Sequence, residues 1–224
     1  MTFDSAISSL KRGEFVMIHD SDGRENEIDM VVAAELVTPE HIVRMRKHAG
    51  GLICLAIDNP LAEKLQLKYM HNMLSLSNQL DEESKKMIMG TAPYGDHPTF
   101  SISINHKQTY TGITDRDRAL TIKEMSTLYQ KENPKQFFNS TFKTPGHVPL
   151  LIASNGLLSS RTGHTEMSVY LTQLANLSPI TAICEMMDSE TYSALSVDKA
   201  EKYAKENAIP FIDGKELLEF SKVN

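Results

Sequence analysis

Five carboxylates crowd one short stretch of this chain. Asp20, Asp22, Glu25, Glu27 and Asp29 fall within ten positions, directly before the apolar run 30–32. Like charges a few ångströms apart repel by roughly 1 kcal/mol or more even at solvent-like dielectric, so such a cluster needs cations or a solvated loop to persist. Magnesium and manganese prefer carboxylate and water oxygens and are usually held by only one or two protein carboxylates. The run therefore indicates either a divalent-metal site or a solvated charged turn.

A calcium-binding hand would need a different spacing of this acidic loop. Counted from Asp20, Glu25 stands where that loop needs glycine, and Val31 stands where it needs the closing glutamate. The acidic loop instead follows a short buried strand predicted at 15–18, and apolar residues flank it on both sides. A solvent-exposed turn does not require carboxylates to be concentrated between two apolar segments. Their position therefore favours metal binding.

The segment 161–166 has the composition of an anion-binding loop. It reads Arg-Thr-Gly-His-Thr-Glu and precedes apolar residues spaced for one face of a helix. Gly163 lets the backbone approach an anion, free N–H groups at the helix start point toward it, and Arg161 offers a planar fork for phosphate oxygens. Thr165 adds a hydroxyl. The segment is compatible with a phosphate site and also with a plain glycine turn capped by threonine.

Three further side chains could bind the ion or transfer protons. His164 could be a neutral imidazole ligand of the same metal, whereas most isolated histidines lie on the surface or are satisfied core residues. His147 follows a Thr-Pro-Gly turn at the start of an apolar strand, and Glu185 directly follows the apolar run 180–184. A carboxylate after a buried strand is well placed to have a raised pKa and to shuttle protons. The simpler alternatives are a strand-capping histidine and an exposed strand end.

Strands alternate with helices along the chain. Apolar runs predict strands at 15–18, 30–34, 52–57, 100–104, 147–153 and 180–184. Helical spacing and capping residues predict helices over 3–10, from Pro39, from Pro60, after Thr121, over 164 to about 177, after Ser196 and after Asp213. Residues 72–98 carry mixed charges and predict a loop-rich insertion. The alternation predicts one α+β domain over 1–224, a mixed β-sheet layered with α-helices in a three-layer α/β/α-like arrangement.

Composition excludes several classes of protein. Hydrophobic residues make up 41% of the 224 and charged residues 23%, which is ordinary for a globular chain and excludes disorder. A net charge of -6 leaves no basic footprint for nucleic acid, and no apolar run is long enough to span a membrane. Cys54 and Cys184 both lie in apolar runs, which fits a reducing compartment. We expect a cytoplasmic protein without nucleic-acid or membrane partners.

Five motifs together resemble the 3,4-dihydroxy-2-butanone 4-phosphate synthase family. They occur in the family's order and span essentially the whole chain: residues 20–29 with the core Arg-Glu-Asn-Glu, Gly-Gly-Leu-Ile-Cys at 50–54, Thr-Pro-Gly-His-Val at 144–148, residues 161–166, and Cys-Glu at 184–185. The length and the extended middle segment look like the archaeal, single-function form. Two departures are Ser21, where an acid is common, and Ile28, where glycine is common. Residues 72–98 have no clear bacterial counterpart and receive no role.

The resemblance implies a metal-dependent lyase. Such enzymes convert D-ribulose 5-phosphate to L-3,4-dihydroxy-2-butanone 4-phosphate and formate for riboflavin biosynthesis, by metal-assisted enolisation, a 1,2-skeletal shift and loss of C4. The resemblance implies two Mg²⁺ or Mn²⁺ ions per active site, with Glu25 bridging them and His164 completing one, and it makes His147 and Glu185 catalytic. Substrate binding would fall to Arg24, Glu25, Asp29, Arg161, Thr162, Gly163, His164, Thr165 and Glu185. Asp20, Glu27, Cys54 and Thr111 would line the pocket.

The resemblance also implies a homodimer with active sites at the subunit interface. Two alternatives stay open at this stage. A metal-dependent pentose-phosphate isomerase or epimerase would need the same chelate and anion loop but would return five-carbon products. A non-catalytic sugar-phosphate binding protein, or a member of the related fold seen in tRNA-modifying proteins, would bind without turnover, although the acidic balance weighs against RNA.

Overall fold

A seven-stranded sheet organises the chain in the computed structural model, which describes residues 3–88 and 90–223. The strands of the described residues are β1 (Val16–His19), β2 (Ile28–Ala33), β3 (Cys54–Ile57), β4 (Phe100–His106), β5 (Phe142–Ile152), β6 (Ile180–Glu185), β7 (Met187–Asp188), β8 (Ser193–Ala194) and β9 (Phe211–Asp213). The large sheet has the order β4-β5-β3-β6-β2-β1-β9, and β7 and β8 form a separate pair. β5 runs parallel to β3 and β9 parallel to β1, whereas the other neighbours are antiparallel. The prediction of a mixed sheet is confirmed.

Helices connect most of these strands. They are α1 (Phe3–Lys11), α2 (Pro39–Arg44), α3 (Asn59–Leu65), α4 (Met70–Ser75), α5 (Glu82–Ile88), α6 (Asp115–Ser126), α7 (Pro134–Thr141), α8 (His164–Leu174), α9 (Val197–Glu206) and α10 (Gly214–Val223). Side-chain oxygens of Asp58, Thr114 and Ser196 accept backbone N–H groups at the starts of α3, α6 and α9. Such caps satisfy helix-end donors that have no partner inside the helix. Among the described residues, no helix combines the length and apolar character needed to cross a membrane.

Helices cover both faces of the sheet. Met30 and Leu55 point to one face and share a core with residues of α2, α6 and α9. Val31 and Cys54 point to the other face and share a second core with residues of α1, α8 and α10. Consecutive strand residues such as Met30 and Val31 reach opposite cores because strand side chains alternate in direction. The predicted three-layer arrangement is therefore confirmed.

Several element boundaries differ from the sequence-based predictions. The helix expected after Thr121 begins at Asp115, because Thr114 caps it seven residues earlier. The strand expected from 147 begins at Phe142, where pairing with β4 extends it across a turn-like Thr-Pro-Gly sequence. Local patterns did not predict α7 or β9, and β9 is only three residues long. The loop-rich prediction for 72–98 missed α5 and the end of α4.

The sheet order brings the acidic loop to the later motifs. β1 ends at His19, the chain turns through the acidic loop 20–27, and β2 returns antiparallel beside it. β6 pairs antiparallel with β2 so that Asp29 lies directly opposite Glu185. The amino end of α8 lies at the same end of these strands, since His164 contacts Glu25. Residues far apart in sequence thus meet at one end of the central strands.

Candidate active site

Asp20 holds the acidic loop in shape. Its side chain is buried, and its two carboxylate oxygens accept the backbone N–H groups of Glu25 at 2.9 Å and of Glu27 at 3.1 Å. Arg24 Nη1 lies 3.1 Å from the same carboxylate. A carboxylate that accepts several N–H bonds orders the backbone around it. Asp20 thereby fixes the direction in which the Glu25 side chain leaves the loop.

The Glu25 carboxylate meets the imidazole of His164. Glu25 Oε2 lies 3.1 Å from His164 Nδ1, and His164 Nε2 lies 3.2 Å from the carbonyl oxygen of Glu27. One ligand atom from each of Asp20, Glu25 and His164 lies within 4.8 Å of the other two. Oxygen and imidazole donors at this spacing suit a hard divalent cation that keeps several waters. The three side chains also have partners inside the protein: Asp20 accepts two backbone N–H groups, and Glu25 accepts the Tyr94 hydroxyl and pairs with Arg24.

The pKa values of the groups in this cluster are shifted because several carboxylates lie close together in a buried place. Burial raises the pKa of Asp29 to about 7, against the opposing effect of the His164 charge. Burial would lower the pKa of His164, but Asp29, Glu25 and Asp20 outweigh it and raise that pKa to about 9. Burial would likewise raise the pKa of Glu25, yet hydrogen bonds from His164 and Tyr94 hold it well below its usual range. The cluster attracts positive charge, as a cation site requires.

Two guanidinium groups lie beside the amino end of α8: Arg161 lines the cleft at this place, and Arg24 pairs with Glu25. Arg161 Nη1 donates to Glu166 Oε2 at 2.6 Å, and the fully buried Glu166 also accepts the backbone N–H of Ser154. A β-carbon on Gly163 would overlap the Arg161 guanidinium and would lie 2.9 Å from Arg24 Nη2. Only glycine therefore lets both guanidinium groups approach the amino end of α8. The free N–H groups of that helix end and two cations suit an anion such as phosphate.

These groups line one cleft of about 190 Å³. Its wall includes Glu25, Glu27, Asp29, Tyr94, Thr99, Arg161, His164, Thr165 and Glu185. Thr165 Oγ1 lies 3.1 Å from Thr99 Oγ1, and Glu185 Oε2 accepts the backbone N–H of Leu52 at 2.7 Å. Carboxylates, an imidazole and the Arg161 guanidinium thus line the same cleft. Such a combination can hold a molecule with chelating oxygens at one end and an anionic group at the other.

Seven of the expected residues do not line the cleft. Asp20, Arg24 and Gly163 contact residues that do. The other four are His147, Thr111, Cys54 and Thr162. The exposed His147 lies within β5, and its backbone N–H donates to Asn105 Oδ1 at 2.7 Å. Asn105 Nδ2 in turn donates to the carbonyl oxygen of Thr111 at 3.4 Å, so His147 and Thr111 form a separate cluster. Cys54 is buried in the sheet, where burial raises the pKa of its thiol. Thr162 lines a different groove, together with residues of α8 and α10.

Two residues from the segment without an assigned role contact the side chains of the site. Tyr94 Oη donates to Glu25 Oε1 at 2.6 Å, and the Arg24 guanidinium lies 4.7 Å from the centre of the Tyr94 ring. Asp96 Oδ2 lies 3.1 Å from Arg24 Nε and 3.4 Å from Arg161 Nε. Neither residue was predicted from the sequence. The available signal was an aromatic hydroxyl between Pro93 and Gly95 in an otherwise charged segment.

Comparisons with known proteins find relatives over nearly the whole chain. The model of the 3,4-dihydroxy-2-butanone 4-phosphate synthase family matches residues 4–220. A 3,4-dihydroxy-2-butanone 4-phosphate synthase of Methanothermobacter thermautotrophicus is 44% identical over 214 residues, which cover 96% of this chain and 93% of that protein. A solved 3,4-dihydroxy-2-butanone 4-phosphate synthase in complex with two magnesium ions superposes with a TM-score of 0.80 at 28% identity, covering 100% of this chain and 98% of that one. RibBX, a two-domain synthase from A. baumannii, superposes with a TM-score of 0.78 at 26% identity, covering 97% of this chain and 56% of that one.

Proposed function

The chain belongs to the 3,4-dihydroxy-2-butanone 4-phosphate synthase family, and on that premise we propose that it converts D-ribulose 5-phosphate to L-3,4-dihydroxy-2-butanone 4-phosphate and formate for riboflavin biosynthesis. One observation carries the proposal. The contact between Glu25 and His164 lies in the same cleft as the guanidinium group of Arg161. A pentose phosphate needs both features, because its carbonyl and hydroxyl oxygens can chelate a metal while its phosphate is held at the far end.

We propose that two Mg²⁺ or Mn²⁺ ions bind at each active site, where Glu25 and His164 would hold them. The donors fit a cation, because the buried Asp29 Oδ1 has no hydrogen-bond partner among the described residues and lies 3.8 Å from His164 Nδ1. The solved relative that contains two magnesium ions supports the number and kind of ions. Bound ions would supply Lewis-acid stabilisation of negative charge on the sugar's oxygens.

Glu185 is the group in the cleft that we assign to proton transfer. The reaction begins with removal of the C3 proton next to the ketone. It then requires loss of the C1 hydroxyl as water, a 1,2-shift, and attack by a water molecule that releases C4 as formate. Glu185 Oε2 is held by the Leu52 N–H at 2.7 Å, so this carboxylate reaches the cleft in a fixed position opposite Asp29. A positioned base or acid typically contributes about 100-fold or more to such a step.

Arg24, Arg161 and the amino end of α8 are assigned to substrate binding. Arg161 is oriented by the buried Glu166, so its remaining edge faces the cleft with little freedom to rotate. Thr165 adds its hydroxyl to the same wall, and Gly163 allows close approach of the anion. We propose that this wall holds the phosphate of ribulose 5-phosphate.

We propose a homodimer in which the partner supplies the second catalytic side chain. His147 and Thr111 lie outside the cleft of their own chain, so they need another subunit to take part in the reaction. An exposed apolar side chain lies near each group. Leu52 is exposed, and its backbone N–H contacts Glu185 in the cleft; Ile113 is exposed two residues from Thr111. Apolar side chains exposed at these places favour a subunit contact that would bring His147 to the partner's cleft.

Mixing two inactive variants tests the shared active site. Glu25→Gln and His147→Ala should each be inactive alone, but unfolding and refolding them together at equal concentration should restore about a quarter of wild-type formate release. Half of the dimers are then mixed, and each mixed dimer carries one intact site out of two. Mixed protein without activity, measured together with proof that subunits exchange, contradicts the shared site.

Three broader assignments accompany this function. We propose that residues 1–224 act as one domain, supported by the family match over 4–220. We propose a cytoplasmic location, supported by two buried cysteines that form no disulfide. The net charge of -6 supports a small-molecule substrate over a nucleic acid.

Incubation of purified protein with ribulose 5-phosphate and magnesium tests the activity itself. We expect stoichiometric formate and four-carbon phosphate, and we expect a chelator to stop both and added magnesium to restore them. Five-carbon products without formate would identify an isomerase or epimerase instead. Binding of the sugar phosphate without any product would identify a non-catalytic binding protein.

A further inference from the structure

The carboxylate of Asp96 contacts both arginines of the site. Asp96 Oδ2 accepts Arg24 Nε at 3.1 Å and lies 3.4 Å from Arg161 Nε. Both arginines are largely buried, with side chains 8% and 13% exposed, whereas Asp96 is 36% exposed. A partly exposed carboxylate therefore adds negative charge beside two buried guanidinium groups, whose other edges already pair with Asp20, Glu25 and Glu166.

The pairing leaves donors unfilled. Arg24 Nη2 and Arg161 Nε are buried and have no hydrogen-bond partner among the described residues. Arg24 Nη1 is already committed to Asp20 and Glu25, and Arg161 Nη1 to Glu166. The remaining guanidinium edges thus share essentially one carboxylate oxygen. A group with three oxygens and greater charge, such as a phosphate, can fill more of these donors.

The segment that carries Asp96 contains no buried residue, and the polar contacts of Tyr94 and Asp96 attach it to the site. We call residues 90–98 the strap. A tight turn shapes it, in which the Ala92 N–H donates to the Asp96 carbonyl and the Gly95 N–H donates to the Ala92 carbonyl. The preceding helices α4 and α5 contain no buried residue. A segment with few buried contacts opens at low free-energy cost, so the strap can move without disturbing the core.

We propose that Asp96 is a built-in surrogate for the substrate's phosphate. It pairs with Arg24 and Arg161 while the cleft is empty, and the incoming phosphate displaces it. The two guanidinium groups thus contact either a carboxylate or a phosphate at every stage. The binding free energy of the substrate is therefore the free energy of its phosphate contacts minus that of the Asp96 contacts they replace. The inference rests on the proposed function for the identity of the substrate, but not for the presence of an anion site.

The surrogate role predicts that removal of the Asp96 charge tightens anion binding. Calorimetric titration of the magnesium-loaded protein with inorganic phosphate should give a dissociation constant about fivefold lower for Asp96→Asn than for the wild type, since the phosphate no longer displaces an ion pair. The half-saturation by ribulose 5-phosphate should fall in the same direction. Asp96→Ala should also bind phosphate more tightly than the wild type. Circular dichroism checks the fold of both variants.

A matched variant controls for loss of one negative charge. Glu83 is exposed on α5 in the same part of the chain, and Glu83→Gln should leave phosphate binding unchanged. Equal or weaker phosphate binding by both folded Asp96 variants would overturn the inference and show that Asp96 orients the arginines. Absence of formate from the wild type would instead contradict the proposed function, and the phosphate titration would still be interpretable.

Discussion

Replacement of Glu25 by glutamine should lower magnesium-dependent formate release by at least about 1,000-fold, because Lewis-acid stabilisation is worth several kcal/mol and needs the ion in place. The neutral amide can still accept the Tyr94 hydroxyl, but it no longer attracts a cation or pairs with Arg24. Glu25 is outside both hydrophobic cores, so the fold should survive. Formate release and the titration of bound Mn²⁺ measure the effect.

Two further variants sharpen this test. Glu201→Gln removes a carboxylate from the exposed face of α9 and should keep full activity. His164→Ala should lose metal affinity as Glu25→Gln does, although His164 is buried and its removal leaves a small cavity, so the thermal unfolding midpoint must be recorded alongside. Normal turnover in folded Glu25→Gln protein would refute the assignment of Glu25 to the metal.

Replacement of Arg161 by alanine should damage both stability and substrate binding. Glu166 is fully buried and pairs with Arg161 Nη1 at 2.6 Å, so the variant leaves an uncompensated buried charge that costs about 3–5 kcal/mol of the free energy of unfolding. Loss of a charge-assisted contact to phosphate should also raise the half-saturation by ribulose 5-phosphate about 10-fold to 100-fold. Chemical denaturation and steady-state kinetics measure the two effects.

A double variant separates the two effects. In Arg161→Ala with Glu166→Gln the buried group is neutral and still accepts the Ser154 N–H, so most of the stability should return while the weak substrate binding persists. Arg116→Ala on the exposed surface of α6 controls for loss of positive charge and should change neither quantity. Recovery of substrate affinity together with stability would show that Arg161 acts only as a structural partner of Glu166.

Local sequence patterns were sufficient for much of the framework. Short continuous apolar runs predicted six strands of the large sheet, and a capping residue predicted the start of α9 at Ser196. The chemistry of 161–166 placed a histidine at the start of α8. These features depend on neighbours in sequence, through strand alternation and the hydrogen bonds of a helix end. Patterns of a few residues therefore predict them.

Contacts between distant segments decided the composition of the cleft. Asp29 faces Glu185 because β2 and β6 pair antiparallel in one register, and nothing local to either residue specifies that pairing. Tyr94 reaches Glu25 because the strap folds back over the acidic loop.

The sequence by itself determined the inventory of groups: carboxylates on one loop, an arginine and a histidine before one helix, and the alternation of strands and helices that supports them. Only the tertiary structure decided that Asp96 pairs with Arg24 and Arg161, and that His147 lies away from the cleft of its own chain. The reason is physical. Periodicity and capping act over about one turn of helix or a few strand residues, whereas strand order and loop folding depend on the packing of the whole sheet.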